Sequence, residues 1–138
     1  MDTSSSPMAD IALGQSGLMA SRLGWGMWRL EGTGQDALRL SNAALDADMR
    51  FFDTADIYGL GGAGFGTAEA LLGEAFALDP SLRGRIVLAT KGGIDPGVPY
   101  DSSVEYLIRA CEASLKRLKT DVIDLYQIHR PDHLAHPE

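Results

Sequence analysis

Four side chains have the types and spacing of an acid–base site: Asp53, Tyr58, Lys91 and His129. Asp53, Lys91 and His129 each follow a short apolar run, at the ends of FF (51–52), IVLAT (86–90) and LYQI (125–128), and Tyr58 stands five residues after Asp53. A free phenol titrates near ~10 and gives up its proton reluctantly at neutral pH. A lysine ammonium beside Tyr58 would stabilise the phenolate, and Asp53 would hold that ammonium charged and in place. His129 would donate a hydrogen bond to a substrate oxygen. Together they suit proton donation to a carbonyl whose carbon receives a hydride. None of them can supply the hydride, so a nicotinamide cofactor is implied. Each one, taken singly, reads equally well as a polar loop residue. Their occurrence at corresponding places is what marks a site.

Such a meeting needs strands that run parallel, because only then do their C-terminal ends share one rim. The chain has that pattern. A small hairpin is predicted from Ile11–Leu13 and Leu18–Ala20 around Gly14-Gln15-Ser16-Gly17. A strand follows over Arg22–Met27, then a helix over 35–47 with Thr33 as N-cap and Leu38, Leu40, Ala44, Leu45 and Ala47 at helical spacing. Arg50–Thr54 is the second strand. After a glycine-rich loop, a helix over 67–78 carries Leu71, Leu72, Ala75 and Phe76 on one face and ends at Pro80. Arg85–Thr90 is the third strand. A helix over 103–118 has Ser102 and Glu105 as a capping box, with Val104, Ile108, Cys111, Leu115 and Leu118 on its apolar stripe. Asp121–Ile128 is the fourth strand. Alternation of this kind predicts a parallel sheet with right-handed crossovers.

Composition narrows the function. The 138 residues are 45% hydrophobic, enough for a packed core in one domain, and residues 1–10 read as a disordered leader. A net charge of −7 opposes binding along a nucleic-acid backbone. No run approaches the ~18 apolar residues of a membrane helix, and the polar, acidic start is unlike a secretory signal. The single Cys111 allows no internal disulfide. A cytoplasmic protein is expected.

The segments LGQSGLMASRLGWGMW (13–28), FFDTADIYG (51–59), TAEALLGEAF (67–76), VLATKGG (87–93) and IDLYQIHRPD (123–132) together resemble the aldo-keto reductase family, in order and over nearly all the chain after residue 10. The resemblance implies an α/β fold, a (β/α)8 TIM barrel plugged by an N-terminal hairpin. It implies reduction of aldehydes or ketones with NADPH, or with NADH. It assigns Asp53, Tyr58, Lys91 and His129 as the catalytic tetrad, Tyr58 as general acid, and Gly26, Met27 and Trp28 with Asp53 as neighbours of the nicotinamide. Asp48 stands where the family has Gly, a turn that Asp tolerates, and Met27 replaces a small polar residue. A complete barrel takes ~250 residues. Residues 11–138 would therefore be the N-terminal half, with the adenosine-phosphate site outside it, and the half alone would be nearly inactive and self-associate.

Other motifs compete. Gly59–Gly64 (GLGGAG) satisfies G-x-G-x-x-G between a strand and a helix, as in a Rossmann nucleotide module, but the strand turns polar several residues too early for a tight turn. His129, His133 and His136 have helical metal-ligand spacing, which Pro131 and Pro137 break. Cys111 reads as a buried thiol, and Trp25 and Trp28 as packing or as stacking surfaces. Gly14-Gln15-Ser16-Gly17 is too short for a hydrolase elbow. A barrel kept as a non-catalytic binding or regulatory subunit is the alternative from another class.

Overall fold

The computed structural model describes residues 9–136. Residues 1–8, most of the expected leader, lie outside them. Asp10 pairs with Arg50 at 2.8 Å. Strands β1 (Ile11–Ala12) and β2 (Met19–Ala20) form an antiparallel hairpin. Then β3 (Gly24–Gly26), α1 (Gly34–Asp46), β4 (Phe51–Asp53), α2 (Thr67–Leu78), β5 (Val87–Gly92), α3 (Val104–Leu118) and β6 (Leu125–Ile128) alternate. The last four strands pair in parallel in the order β3-β4-β5-β6. A doubly wound sheet reverses its strand order at a switch point, whereas a (β/α) barrel adds each strand beside its predecessor. The order here is that of the barrel, reaching a hairpin, four strands and three helices.

Local chemistry sets the element ends. Thr33 caps α1 as expected: its hydroxyl accepts from the Asp36 N–H, and the Asp36 carboxylate accepts from the Thr33 N–H. Asp48 takes the left-handed conformation, φ 57°, at the turn into β4. Strand β3 is shorter than predicted. The Ser21 hydroxyl accepts from the N–H groups of Arg50 and Phe51 and donates to the Leu23 carbonyl, so a side chain joins the two strand starts in place of a ladder. Strand β5 begins later than expected because Arg83–Arg85 forms a 3-10 turn, and it runs on to include Lys91. Strand β6 starts only at Leu125, after the Asp124 carboxylate has accepted from the Leu88 N–H and from Arg83.

The predicted apolar faces of α1 and α3 hold only in part, with Ala44 and Leu118 buried as expected. In α1 the buried positions are Gly34, Ala37, Ser41 and Ala44, while Leu38, Leu40 and Leu45 are only partly buried and Ala47 is exposed. In α3 the N-cap is Ser103, whose hydroxyl accepts from the Tyr106 N–H, so no Ser102–Glu105 capping box forms. Its Val104 and Ile108 are 68% and 54% exposed, and Cys111 is only half-buried. The buried positions are Ser114 and Leu118. Near the end of α3 the two helices come close: a Cβ on Gly73 of α2 would run into the Arg117 carbonyl, so α2 and α3 meet backbone to backbone at Arg117–Leu118.

The core lies between sheet and helices. Phe52, Leu88, Leu72, Leu82 and Leu118 have no exposed surface, and Trp25 packs edge-on against Phe52 with centroids 5.0 Å apart. The period-two alternation of strands that sends Phe52 and Leu88 inward sends Asp53 and Lys91 to the opposite face. In register, Asp53 lies beside Ala89, and Lys91 beside Gln127.

Candidate active site

Parallel pairing brings the ends of β4, β5 and β6 to one rim. Asp53 closes β4, Lys91 stands one residue before the end of β5, and His129 follows β6 with its N–H donated to the Gly92 carbonyl at 2.8 Å. The Lys91 ammonium donates to Asp53 Oδ2 at 2.8 Å, to the Thr54 carbonyl at 2.9 Å and to the Tyr58 hydroxyl at 3.2 Å. All three of its protons therefore have an oxygen to meet. The Lys91 side chain is 14% exposed, so the pairing is little screened by solvent. The Tyr58 and His129 rings meet edge-on, with centroids 5.6 Å apart. The four residues read from the sequence come together.

Burial lowers the pKa of His129 below the ordinary histidine value, assisted by the Lys91 and Arg130 charges and opposed by Asp53. The shift favours the neutral imidazole. Its Nδ1 is enclosed and has no hydrogen-bond partner among the described residues.

A second polar group lies beneath the loop that carries Tyr58. Glu69, fully buried on α2, accepts from the Thr90 hydroxyl at 2.6 Å and pairs with Arg117 at 2.7 Å, and Arg117 also donates to the Ser114 hydroxyl. Asp56, 1% exposed, has an oxygen with no partner among the described residues. Burial, then repulsion from Glu69, raises its pKa to about 7, against the attraction of Arg117. The folded protein thus holds this proton more tightly than the unfolded chain. The stability it contributes is complete below about pH 4 and is lost as pH rises through about 7. Asp56→Asn is expected to remove that loss. In urea unfolding the variant should match its parent near pH 4 and exceed it at pH 8, by at most ~4 kcal/mol at ~1.4 kcal/mol per pH unit. An equal difference at both pH values would mean that folding does not shift the Asp56 pKa.

Of Gly26, Met27 and Trp28, expected with Asp53 at the nicotinamide, two offer surface. Nothing stands within 4 Å of where a Cβ on Gly26 would project, and Trp28 is 68% exposed. Met27 turns its side chain into the core and donates its N–H to the Asp53 carbonyl at 2.9 Å. The backbone is therefore open at Gly26, which lies beside Asp53 in the β3–β4 register. Trp28, Tyr58, Leu60, Ile94, His129 and Arg130 line a cavity of about 490 Å³ at the same rim.

The glycine-rich loop is built as a rim. Gly59 has φ 110°, and a Cβ there would collide with the Gly64 carbonyl. The N–H groups of Thr67 and Ala68, which lead α2, are already donated to the carbonyls of Gly64 and Tyr58. A Rossmann site would turn such donors toward a pyrophosphate, so the GLGGAG match is not a phosphate cradle. Among the described residues, no group of three or more His, Cys, Asp or Glu is placed to hold a metal ion, and no helix is long and apolar enough to cross a membrane. Sequence reasoning passed over Gln127, whose amide donates to Asp53 Oδ1 at 3.2 Å. The signal was its two-residue spacing from His129 on one strand face. The Glu69–Arg117 pair gave no signal, since its partners are 48 residues apart.

Fold order and rim chemistry define a (β/α)-barrel protein with an Asp–Tyr–Lys–His site. Residues 22–138 match the Aldo/keto reductase family, and the chain belongs to it. It is 61% identical over 135 residues to the 6-dehydroglucose reductase of Novosphingobium aromaticivorans, covering 95% of this chain and 44% of that protein. It is 36% identical over 126 residues to a rice protein named "Probable voltage-gated potassium channel subunit beta", covering 87% and 37%. Among solved structures, the holo form of aldo-keto reductase AKR11C1 from Bacillus halodurans superposes with a TM-score of 0.71 at 36% identity, covering 88% of this chain and 40% of that one. The chain spans less than half the length of these relatives.

Proposed function

We propose that residues 11–138 form the first half of an aldo-keto reductase barrel and carry its catalytic tetrad, for reduction of an aldehyde or ketone with NADPH or NADH. The Lys91 ammonium, bonded at once to Asp53 and to the Tyr58 hydroxyl, carries this reading. When bound, the cofactor supplies a hydride to the carbonyl carbon. Tyr58 gives its hydroxyl proton to the carbonyl oxygen, and the phenolate left behind lies against the Lys91 ammonium. Asp53 keeps that ammonium charged and aimed. On His129 we place the ring proton on Nε2, since Nδ1 meets neither donor nor acceptor among the described residues and a buried lone pair costs less than a buried N–H. Nε2–H can then hold the substrate oxygen beside Tyr58. Gly26 and Trp28 would flank the nicotinamide, with Met27 contributing backbone alone.

The name of the relative at 61% identity supports a sugar oxidised to an aldehyde as substrate. The rice relative supports the second reading, a barrel used for regulation, but a barrel serving only for its surface has no need of all four site residues. The test is loss of NADPH absorbance by the full-length protein with 6-dehydroglucose and with simple aldehydes. Consumption with the sugar aldehyde is expected. A protein that binds NADPH but consumes it with no aldehyde would be regulatory. Light scattering of the isolated chain should show self-association, since Leu23 beside β3 and Ile128 on β6 are each 55% exposed at the outer strands.

A further inference from the structure

Asp53 has two carboxylate oxygens, and the reaction as read above accounts for one. Oδ2 accepts from Lys91, while Oδ1 accepts from the side-chain amide of Gln127 at 3.2 Å. A carboxylate can only accept, so the amide must present its nitrogen. Gln127 lies beside Lys91 in the β5–β6 register, so the two side chains leave neighbouring positions of one sheet face and converge on one carboxylate. The terminal torsion of an aspartate is broad and roughly two-fold, and one hydrogen bond leaves it free to swing. A neutral amide on the second oxygen restrains that swing without adding charge beside Lys91.

We propose that Gln127 is a positioning residue: its amide fixes the Asp53 carboxylate so that Oδ2 stays on Lys91 and Lys91 stays on the Tyr58 hydroxyl. The proposal rests on the assignment of Asp53, Lys91 and Tyr58 to the reaction. It concerns orientation, and Gln127 itself touches no reacting atom.

Acetylation of lysines in the full-length protein by acetic anhydride, followed by mass spectrometry, reads the hold on Lys91 without reference to activity. Only a neutral, accessible amine reacts, and Lys116 and Lys119 on and beside α3 serve as internal references. Gln127→Leu is expected to raise the Lys91 rate relative to Lys116 by roughly three- to tenfold, the worth of one hydrogen bond. Asp53→Asn should raise it further. Turnover of Gln127→Leu should fall by a similar factor with KM for the carbonyl substrate unchanged. Gln127→Met keeps the side-chain length without the donor, and it decides the matter if the Leu variant loses its circular-dichroism spectrum. Unchanged Lys91 labelling in the Gln127 variants, with a clear rise in Asp53→Asn, overturns the positioning role and leaves the tetrad standing. Unchanged labelling in Asp53→Asn as well overturns the Asp53–Lys91 assignment itself.

Discussion

Tyr58→Phe in the full-length protein is expected to lower carbonyl reduction by roughly 10²–10⁴-fold, the range for loss of a positioned general acid. The effect belongs to the chemical step. Phenylalanine keeps the ring that meets His129 edge-on and removes only the hydroxyl that Lys91 contacts at 3.2 Å. Cofactor affinity should therefore hold, and the parent and variant should bind NADPH equally in a fluorescence titration. Single-turnover absorbance then isolates the loss. Equal turnover in parent and variant would mean that the proton comes from elsewhere, and the tetrad assignment would fail.

Lys91→Met should be nearly as damaging, and its pH dependence is more telling. On the proposed mechanism, the reverse direction, oxidation of the alcohol, requires Tyr58 to accept a proton as a phenolate. A phenol with no cation beside it titrates near ~10. In the variant the Asp53 carboxylate, paired with Lys91 at 2.8 Å in the parent, remains as a bare negative charge that opposes the phenolate further. Alcohol oxidation by the variant should thus fall by roughly 10²–10⁴-fold at neutral pH, the range for loss of acid–base catalysis, and recover as pH rises. The check is a rate profile from pH 6 to pH 10 for parent and variant. A loss that does not change with pH would assign Lys91 to holding the cofactor instead.

The site was legible because its residues sit where strands leave the sheet. Asp53, Lys91 and His129 each follow an apolar run, and parallel strands bring such ends together whatever the details of packing. The capping of α1 by Thr33 and the span of α2 were legible for similar local reasons: one side-chain oxygen three residues from its donor, and one apolar face between a glycine and a proline. The α3 stripe misled. Its apolar residues have helical spacing, yet which face a helix buries depends on how closely its neighbour approaches. Gly73, thirty-one residues before α3 begins, sets that approach.

The sequence by itself determined the alternation of elements, the family and the identity of the four converging side chains, because these depend on local periodicity, capping and order along the chain. Only the tertiary structure decided that Ser114 and Leu118 face α2, that Met27 turns into the core, that Asp56 is buried without a full set of partners, and that Gln127 holds the second oxygen of Asp53. Each of these depends on distances between residues far apart in sequence. Burial, desolvation and hydrogen bonding act through space, and their magnitudes are set only once the backbones have met.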